Sequence, residues 1–309
     1  MRLVFLGTPA FAVPTLEAVV AAGHEVLTVV TQPDRPRGRG QASAAPPVKQ
    51  AALRLRLPVY QPERVRRPEA VECLRALSAD CMVVVGYGQI IPQSVIDLAP
   101  LGIINVHGSL LPRYRGAGPI QWAILNGETR TGVTTMRIDA GLDTGDMLLK
   151  AETEIGPDEN AIEVGGRLGV MGARLLVETL AGLSAGTIVP EKQDAAQATW
   201  APLLKKQDGQ IDWRRDASAV HNQVRGLQPW PGAYTTFRGQ SLHIWKSRVQ
   251  RTAPPSEPGT AHRIAHALLV ACGSGSLELL EVQMEGRKRL PAADFANGQR
   301  LADNEVLGV

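Results

Sequence analysis

The 309-residue sequence contains only three cysteines, Cys73, Cys81 and Cys272, and they are far apart. Their spacing matches neither a disulfide framework nor a zinc site. A chain without disulfides suits the reducing cytosol, so we expect a cytoplasmic protein.

Long hydrophobic runs are also missing. The apolar N-terminal segment is interrupted by Gly7-Thr8-Pro9 and followed by Glu17, which is typical of a strand and not of a signal peptide. No run of about 18 uninterrupted apolar residues occurs elsewhere. We therefore expect no transmembrane helix and no membrane partner.

Signatures of several common enzyme classes are absent. The turn from Gly7 to Phe11 lacks the further glycines of G-x-G-x-x-G, which argues against a nicotinamide-dependent dehydrogenase. The three aspartates of the 139–146 loop do not follow EF-hand spacing, and we expect no metal. Ser109 has no G-x-S-x-G frame and no cysteine lies next to a histidine, so no covalent nucleophile is indicated.

What the chain does contain is an alternation of strand and helix patterns. A strand at 2–8, a helix at 11–22 and a valine-rich strand at 25–31 form a β-α-β unit. Apolar runs at 81–85 and 103–104 are typical of buried parallel strands. These patterns predict an α/β fold in which a Rossmann-like, doubly wound domain comes first.

The last third of the chain has a different pattern. From 182 to 204 it is polar and irregular, which is typical of a linker. Beyond a helix at 217–226, short alternating runs with glycine turns predict a small β-barrel. We therefore expect a catalytic domain at 1–188, a linker at 189–204 and a second domain at 205–309.

Charge is distributed unevenly between these parts. Residues 1–204 hold 19 Lys and Arg against 20 Asp and Glu, whereas residues 205–309 hold 14 against 10, a net charge of +4. This excess is compatible with a polyanionic partner, and equally with an ordinary solvated surface.

A basic, irregular segment runs from Gln32 to Pro47. Its four prolines, two glycines and three arginines predict neither helix nor strand. Arg35, Arg37 and Arg39 could grip phosphates. A flexible, solvated insertion is the alternative.

The strongest candidate site lies where the 103–104 run ends, at Asn105 and His107. Two residues apart on an extended chain, their side chains lie on one face. An amide donates hydrogen bonds without titrating, and imidazole can also move a proton near neutral pH. The pair could hold charge that develops on a carbonyl oxygen. A polar strand end without a catalytic role is the alternative.

The surrounding motifs resemble those of the folate-dependent formyltransferases. Asn-x-His-x-Ser-Leu-Leu-Pro at 105–112 is followed by Arg-x-x-Gly and later by Leu-Asp-Thr-Gly-Asp at 142–146. With the opening Phe-Leu-Gly-Thr-Pro-Ala-Phe at 5–11, the resemblance covers essentially the whole chain. It implies formyl transfer from 10-formyltetrahydrofolate to an amine, here the α-amino group of initiator Met-tRNA.

The resemblance also implies roles for individual residues. Asn105 and His107 would point donors at the formyl oxygen, and Asp143 would pair with His107, directly or through water, and give a route for protons. Folate contacts are implied at eight positions: Ser109, Leu110, Leu111, Pro112, Gly86, Tyr87, Gly88 and Gln89. The basic segment would contact the acceptor end of the tRNA, and an OB-like barrel at 205–309 would hold it.

Because no nucleophile is apparent, we expect direct acyl transfer through a tetrahedral intermediate. Separately, we expect the protein to be a monomer. Three alternatives remain open from the sequence. One is a formyltransferase of the same catalytic family that acts on a small amine, either an amino sugar or a purine precursor. The others are hydrolysis of the formyl donor and a tRNA-binding module without catalysis.

Overall fold

The computed structural model describes residues 1–37, 42–250 and 256–308. The chain forms two compact units. The first comprises Met1–Gly116, Thr131–Thr153 and Gly165–Trp200, and the second comprises Ala117–Arg130, Glu154–Val164 and Ala201–Val309. The domain boundaries expected from the sequence stay a prediction.

The described residues form the following strands and α-helices. The strands are β1 (Arg2–Gly7), β2 (Glu25–Val30), β3 (Arg35–Arg37), β4 (Ala42–Ala44), β5 (Val59–Tyr60), β6 (Cys81–Val85), β7 (Ile103–His107), β8 (Arg130–Arg137), β9 (Met147–Glu154), β10 (Ala233–Phe237), β11 (Gln240–Gln250), β12 (Thr260–Ile264), β13 (Ala267–Ala271), β14 (Ser276–Met284), β15 (Leu290–Pro291) and β16 (Glu305–Val306). The α-helices are α1 (Val13–Ala21), α2 (Pro47–Arg54), α3 (Pro68–Ala76), α4 (Gln93–Ile96), α5 (Pro119–Leu125), α6 (Ala161–Ala185), α7 (Ala217–Gly226) and α8 (Ala292–Gly298).

The first unit is organised around a sheet in the order β5-β2-β1-β6-β7-β8-β9. Strands β5, β2, β1, β6 and β7 pair in parallel, whereas β8 is antiparallel to β7. Every residue of β6 is buried, as expected of a strand covered on both faces. The strand order reverses between β1 and β6, so the loops after β1, β6 and β7 meet at the edge where ligands bind in such sheets. The predicted α/β class is confirmed.

Helix α6 packs directly against the strand that carries the candidate site. A Cβ atom on Gly172 would lie 2.6 Å from Cγ1 of Val106, so only glycine permits this approach. By length and composition alone α6 is apolar enough to cross a membrane. Its residues Leu168, Leu176 and Leu180 are fully buried, which is typical of a core helix.

The second unit contains an antiparallel sheet in the order β10-β11-β14-β13-β12-β16, with β15 paired to β14. The sheet curls until its ends approach each other. The amide of Gly308, just after β16, donates to the carbonyl oxygen of Thr236 in β10 at 2.8 Å. Arg238 and Glu305 add an ion pair across the same gap, with Nε and Oε1 2.6 Å apart. The predicted OB-like, barrel-type second domain is confirmed as a curled antiparallel sheet.

Two details of the sequence prediction are wrong. The segment from Gln32 to Pro47 does contain strands, because β3 and β4 pair antiparallel as a separate two-stranded sheet. Proline is tolerated in β3 because both strands of such a sheet are edges, where a missing N–H need not break a ladder. The irregular stretch expected from 182 begins later, since α6 continues to Ala185.

Candidate active site

Strand β7 places Asn105 and His107 on the same face, as the sequence predicts. Ile104 and Val106 alternate with them and belong to the core on the opposite face of the sheet. Only 8% of Asn105 and 6% of His107 is exposed. The two polar side chains therefore project from a rigid, buried strand end.

Both nitrogens of the His107 ring face polar atoms of nearby loops. Nε2 lies 2.9 Å from the carbonyl oxygen of Tyr114 and donates to it, because a carbonyl can only accept. Nδ1 lies 3.7 Å from Oδ2 of Asp143. Because Nε2 is already hydrogen-bonded to Tyr114, Nδ1 is the nitrogen that can exchange a proton with a substrate or with Asp143.

Asn105 differs from its neighbour in having no such partner. No hydrogen bond joins its carboxamide to another residue in the part of the chain that the structure describes. A nearly buried amide in this state has two N–H donors available to a ligand. Asn105 can therefore bind an oxygen that arrives beside His107.

The loop between β8 and β9 turns Asp143 towards the histidine. Asp143 adopts a left-handed backbone conformation, with φ of 52°, and its Oδ2 accepts a hydrogen bond from the amide of Gly116 at 2.9 Å. Asp139 instead closes the loop itself, accepting from the hydroxyl of Thr144 at 2.7 Å. Among the described residues, no group of three or more His, Cys, Asp and Glu side chains is arranged to hold a metal ion.

The loop after β7 is held by a buried threonine of β8. The hydroxyl of Thr134 donates to the carbonyl oxygen of Ser109 at 2.7 Å and accepts from the amide of Leu111 at 3.1 Å. Leu111 packs with Met136 and Met147 in a small apolar cluster. The segment 109–112, predicted to contact folate, is thus a fixed and partly apolar wall beside Asn105 and His107.

The loop after β6, the other predicted folate contact, uses its side chains elsewhere. Tyr87 is buried in the core, and burial raises the pKa of its hydroxyl to about 12. The carboxamide of Gln89 binds the backbone of residues 63 and 65. Gly86 and Gly88 both have positive φ values, of 57° and 84°. A ligand here can approach the backbone of 86–89 more readily than these two side chains.

A cleft of about 400 Å³ opens next to that loop, at the ends of β1, β2 and β6. Its lining includes Thr8, Gln32, Arg35 and Gly88. Of the three arginines predicted to contact tRNA, the structure describes the side chain of Arg35, which is exposed. The side chain of Arg37 and the whole of Arg39 lie outside the described residues.

Sequence reasoning missed three groups that organise the site. These are the carbonyl oxygen of Tyr114, the hydroxyl of Thr134 and the carboxamide of Gln193, which binds the Asp143 loop. The first is backbone and carries no residue-type signal. Thr134 resembles any other strand threonine, and Gln193 lies in a segment that reads as a linker.

Models of known protein families match the chain over two ranges. The formyl transferase model matches residues 1–180, and the model of the formyl transferase C-terminal domain matches residues 203–300. The methionyl-tRNA formyltransferase of Solibacter usitatus is 77% identical over 308 residues, which are 100% of this chain and 99% of that protein. That of Koribacter versatilis is 56% identical over 310 residues, with the same coverage of 100% and 99%.

A solved structure shows the same fold at much lower identity. The N-formyltransferase from Helicobacter canadensis, in complex with folinic acid and dTDP-3-aminofucose, superposes with a TM-score of 0.67. The two chains are 17% identical, and the match covers 92% of this chain and 99% of that one. At this identity the likeness is one of fold alone.

Proposed function

The chain belongs to the formyl transferase family, and on that premise we propose that it moves a formyl group from 10-formyltetrahydrofolate to the α-amino group of initiator Met-tRNA. The observation that carries this proposal is the strand end of β7. There an unbonded carboxamide, Asn105, lies beside an imidazole that faces a carboxylate, Asp143. The whole-chain identity of 77% to a methionyl-tRNA formyltransferase supports this choice of acceptor.

In the proposed reaction, the amine nitrogen forms a bond to the formyl carbon and a tetrahedral intermediate results. Asn105 donates an N–H to the formyl oxygen, where negative charge develops. His107 takes up on Nδ1 the proton that the amine loses, and in that state Nδ1 adds a second donor for the oxygen. The bond from the formyl carbon to N10 of the folate then breaks, and the proton passes to N10.

Asp143 acts through its position beside Nδ1 of His107. The carboxylate stabilises the ring while it carries the extra proton, since opposite charges attract strongly where water is largely excluded. At 3.7 Å the two groups are slightly too far apart for a direct hydrogen bond. The single proton on Nδ1 therefore stays available to the formyl oxygen and then to N10, while Asp143 acts through its charge.

The folate co-substrate would lie along two loops. Ser109, Leu110, Leu111 and Pro112 would form an apolar wall next to the formyl group. Gly86, Tyr87, Gly88 and Gln89 would contact the pterin ring, chiefly through their backbone.

The acceptor would be held by positive charge. Arg35, Arg37 and Arg39 would contact the acceptor end of the tRNA, and residues 205–309, with their net charge of +4, would hold its body. In this division of labour residues 1–188 carry the chemistry and 189–204 connect the two parts. We further propose that the protein works as a cytoplasmic monomer without a metal.

An acceptor competition tests this function. Formyl-labelled 10-formyltetrahydrofolate is incubated with the protein and equal concentrations of Met-tRNA and dTDP-3-aminofucose, and separately with neither. We expect label in Met-tRNA only, and no tetrahydrofolate without an acceptor. Label on the sugar would support the small-amine alternative, and tetrahydrofolate formed without any amine would indicate a hydrolase.

A further inference from the structure

Gln193 forms three hydrogen bonds around the candidate site. Its Nε2 donates to the carbonyl oxygens of Asp143 and Gly145, each at 2.8 Å. Its Oε1 accepts from Nε of Arg115 at 2.9 Å. Both N–H groups and the oxygen of one carboxamide are thereby used between two loops.

Those two loops hold opposite sides of the His107 ring. The loop of Arg115 also supplies the carbonyl oxygen of Tyr114, which accepts from Nε2. The loop of Asp143 supplies the carboxylate that faces Nδ1. The amide of Gly116 joins the two by donating to Oδ2 of Asp143. Gln193 therefore fixes the separation of the groups between which the imidazole lies.

The conformation of Asp143 is one that needs such support. Non-glycine residues rarely adopt positive φ, and Asp143 has a φ of 52°. Gly145 is confined as well, because a Cβ there would lie 1.9 Å from the carbonyl oxygen of Arg137. Gln193 binds the carbonyls of both residues, and with them the side chain of Asp143 is held in place.

We propose that Gln193 is a positioning residue for formyl transfer, which holds the carboxylate of Asp143 at the Nδ1 side of His107. This proposal rests on the proposed function of Asp143. The three hydrogen bonds of the Gln193 side chain go to Arg115, Asp143 and Gly145, and none goes to the 109–112 or 86–89 loops. Its loss is therefore expected to lower kcat and to leave the KM for folate nearly unchanged.

The test compares Gln193→Met with Gln197→Met in the full chain. Methionine keeps the length of the side chain and removes its hydrogen bonds. Gln197 lies four residues along the same segment, is exposed and donates to Asp194, so it is a matched control. We expect Gln193→Met to lower kcat about 10-fold or more, as small misplacements in active sites do, with a change in KM for folate below about threefold. Gln197→Met is expected to match the native protein.

A double-mutant cycle separates positioning from general stability. If Gln193 acts through Asp143, Gln193→Met has almost no further effect in the Asp143→Ala background. Equal effects of Gln193→Met in both backgrounds would overturn the proposal, as would native kcat in Gln193→Met. Should Asp143→Ala itself be fully active, the proposed function of Asp143 fails instead.

Gln193→Glu covers the case in which Gln193→Met does not fold. Glutamate keeps the size of the side chain and the bond from Arg115, but its carboxylate offers no N–H to the two carbonyl oxygens. We expect its kcat to fall at least as far as that of Gln193→Met. A native kcat in Gln193→Glu would contradict the proposal.

Discussion

Two aspartates of the same loop, Asp143 and Asp146, provide a matched pair for testing the proposed chemistry. Oδ2 of Asp143 faces His107, whereas Asp146 contributes its carbonyl oxygen to the amide of Arg137. We expect His107→Ala and Asp143→Ala each to lower kcat by roughly 10²-fold or more, because each removes a group needed for proton transfer or charge stabilisation. Asp146→Ala is expected to have a smaller effect.

Steady-state formylation of Met-tRNA measures these effects, and circular dichroism shows that the variants fold. Near-native turnover in folded His107→Ala would remove the histidine from the mechanism. A larger loss in Asp146→Ala than in Asp143→Ala would show that the wrong aspartate has been assigned.

A second histidine, His221, is predicted to make stability depend on pH. Its ring lies buried between the hydroxyl of Ser247, 3.0 Å from Nδ1, and the carbonyl oxygen of Pro157, 3.1 Å from Nε2. Burial lowers the pKa of His221 below its ordinary value, although the bond to Pro157 acts in the opposite direction. The unfolded chain therefore takes up a proton at a higher pH than the folded protein does. The stability from this residue is complete above about pH 6.5 and is lost as the pH falls towards the folded pKa.

Urea unfolding at pH 7.5 and 5.5 tests this point. We expect His221→Gln to show a smaller drop in the free energy of unfolding between the two pH values than the native protein. Exposed His266 serves as the control, and His266→Gln is expected to keep the native drop. An unchanged drop in His221→Gln would show that another group titrates.

The sequence was informative about side chains that lie close together along the chain. Asn105 and His107 could be placed on one face because strand geometry repeats every two residues. The partner of Nε2 could not be predicted, because the carbonyl oxygen of Tyr114 is aimed by the path of a loop. Gln193 lies fifty positions after Asp143, and only the folded chain brings them together.

Helix α6 contains two glycines with opposite surroundings, which makes the packing of α6 on β7 testable. A Cβ on Gly172 would meet Val106 at 2.6 Å, whereas nothing lies within 4 Å of one on Gly166. Gly172→Ala should cost about 1–3 kcal/mol, because the stiff valine and its strand must move. Gly166→Ala should stabilise by about 0.5–1 kcal/mol, since alanine favours helix.

The free energy of unfolding and kcat of both variants check this prediction. Because Val106 lies between Asn105 and His107, kcat is expected to fall in Gly172→Ala only. Equal stability of the two alanine variants would contradict the close contact between α6 and β7.

The basic segment around β3 is expected to give formylation part of its salt dependence. Replacing Arg35, Arg37 and Arg39 together by alanine should flatten the log–log plot of kcat/KM for Met-tRNA against salt, by about one unit per lost phosphate contact. Folate affinity should hardly change. The control replaces Arg54, the last residue of α2, Arg56, two positions later, and Arg75, in the last turn of α3. Because α2 leads into β5 and α3 leads into β6, these positions lie near the amino ends of the strands, opposite the edge that carries the candidate site.

In that control the charge lost is the same, so we expect the native slope. Equal slopes in the two triple variants would show that the basic segment is a solvated insertion and does not contact the acceptor.

Elements with a strong internal pattern were predicted well, and elements formed by pairing were not. Strand β6 was predicted with its bounds because five apolar residues in a row need no partner to be recognised. Strands β3 and β4 were missed because their short ladder forms only when a proline-containing piece pairs with an alanine-rich one. The strand propensity of each piece taken alone does not indicate that the two will pair.

The two compact units each contain a hydrophobic core of their own. In the second unit the core includes Trp213, Phe237 and Phe295, and in the first it includes Phe5 and Leu16. The second unit also includes α5, which packs closely against α7. A Cβ atom on Gly226 of α7 would lie 3.2 Å from Cγ2 of Ile124 in α5. The sequence could not assign α5 to that unit, because the helix lies about a hundred residues before its partner in the chain.

A rapid-quench single turnover with formyl-labelled 10-formyltetrahydrofolate and Met-tRNA tests direct transfer at the Asn105, His107 and Asp143 site most directly. At each time point label is counted in folate, in denatured protein and in Met-tRNA. We expect label to pass from folate to Met-tRNA without a lag, with none bound to protein and with no tetrahydrofolate formed when Met-tRNA is omitted. Label on the protein that forms before formyl-Met-tRNA, or tetrahydrofolate released without an acceptor, would contradict direct transfer between two bound substrates.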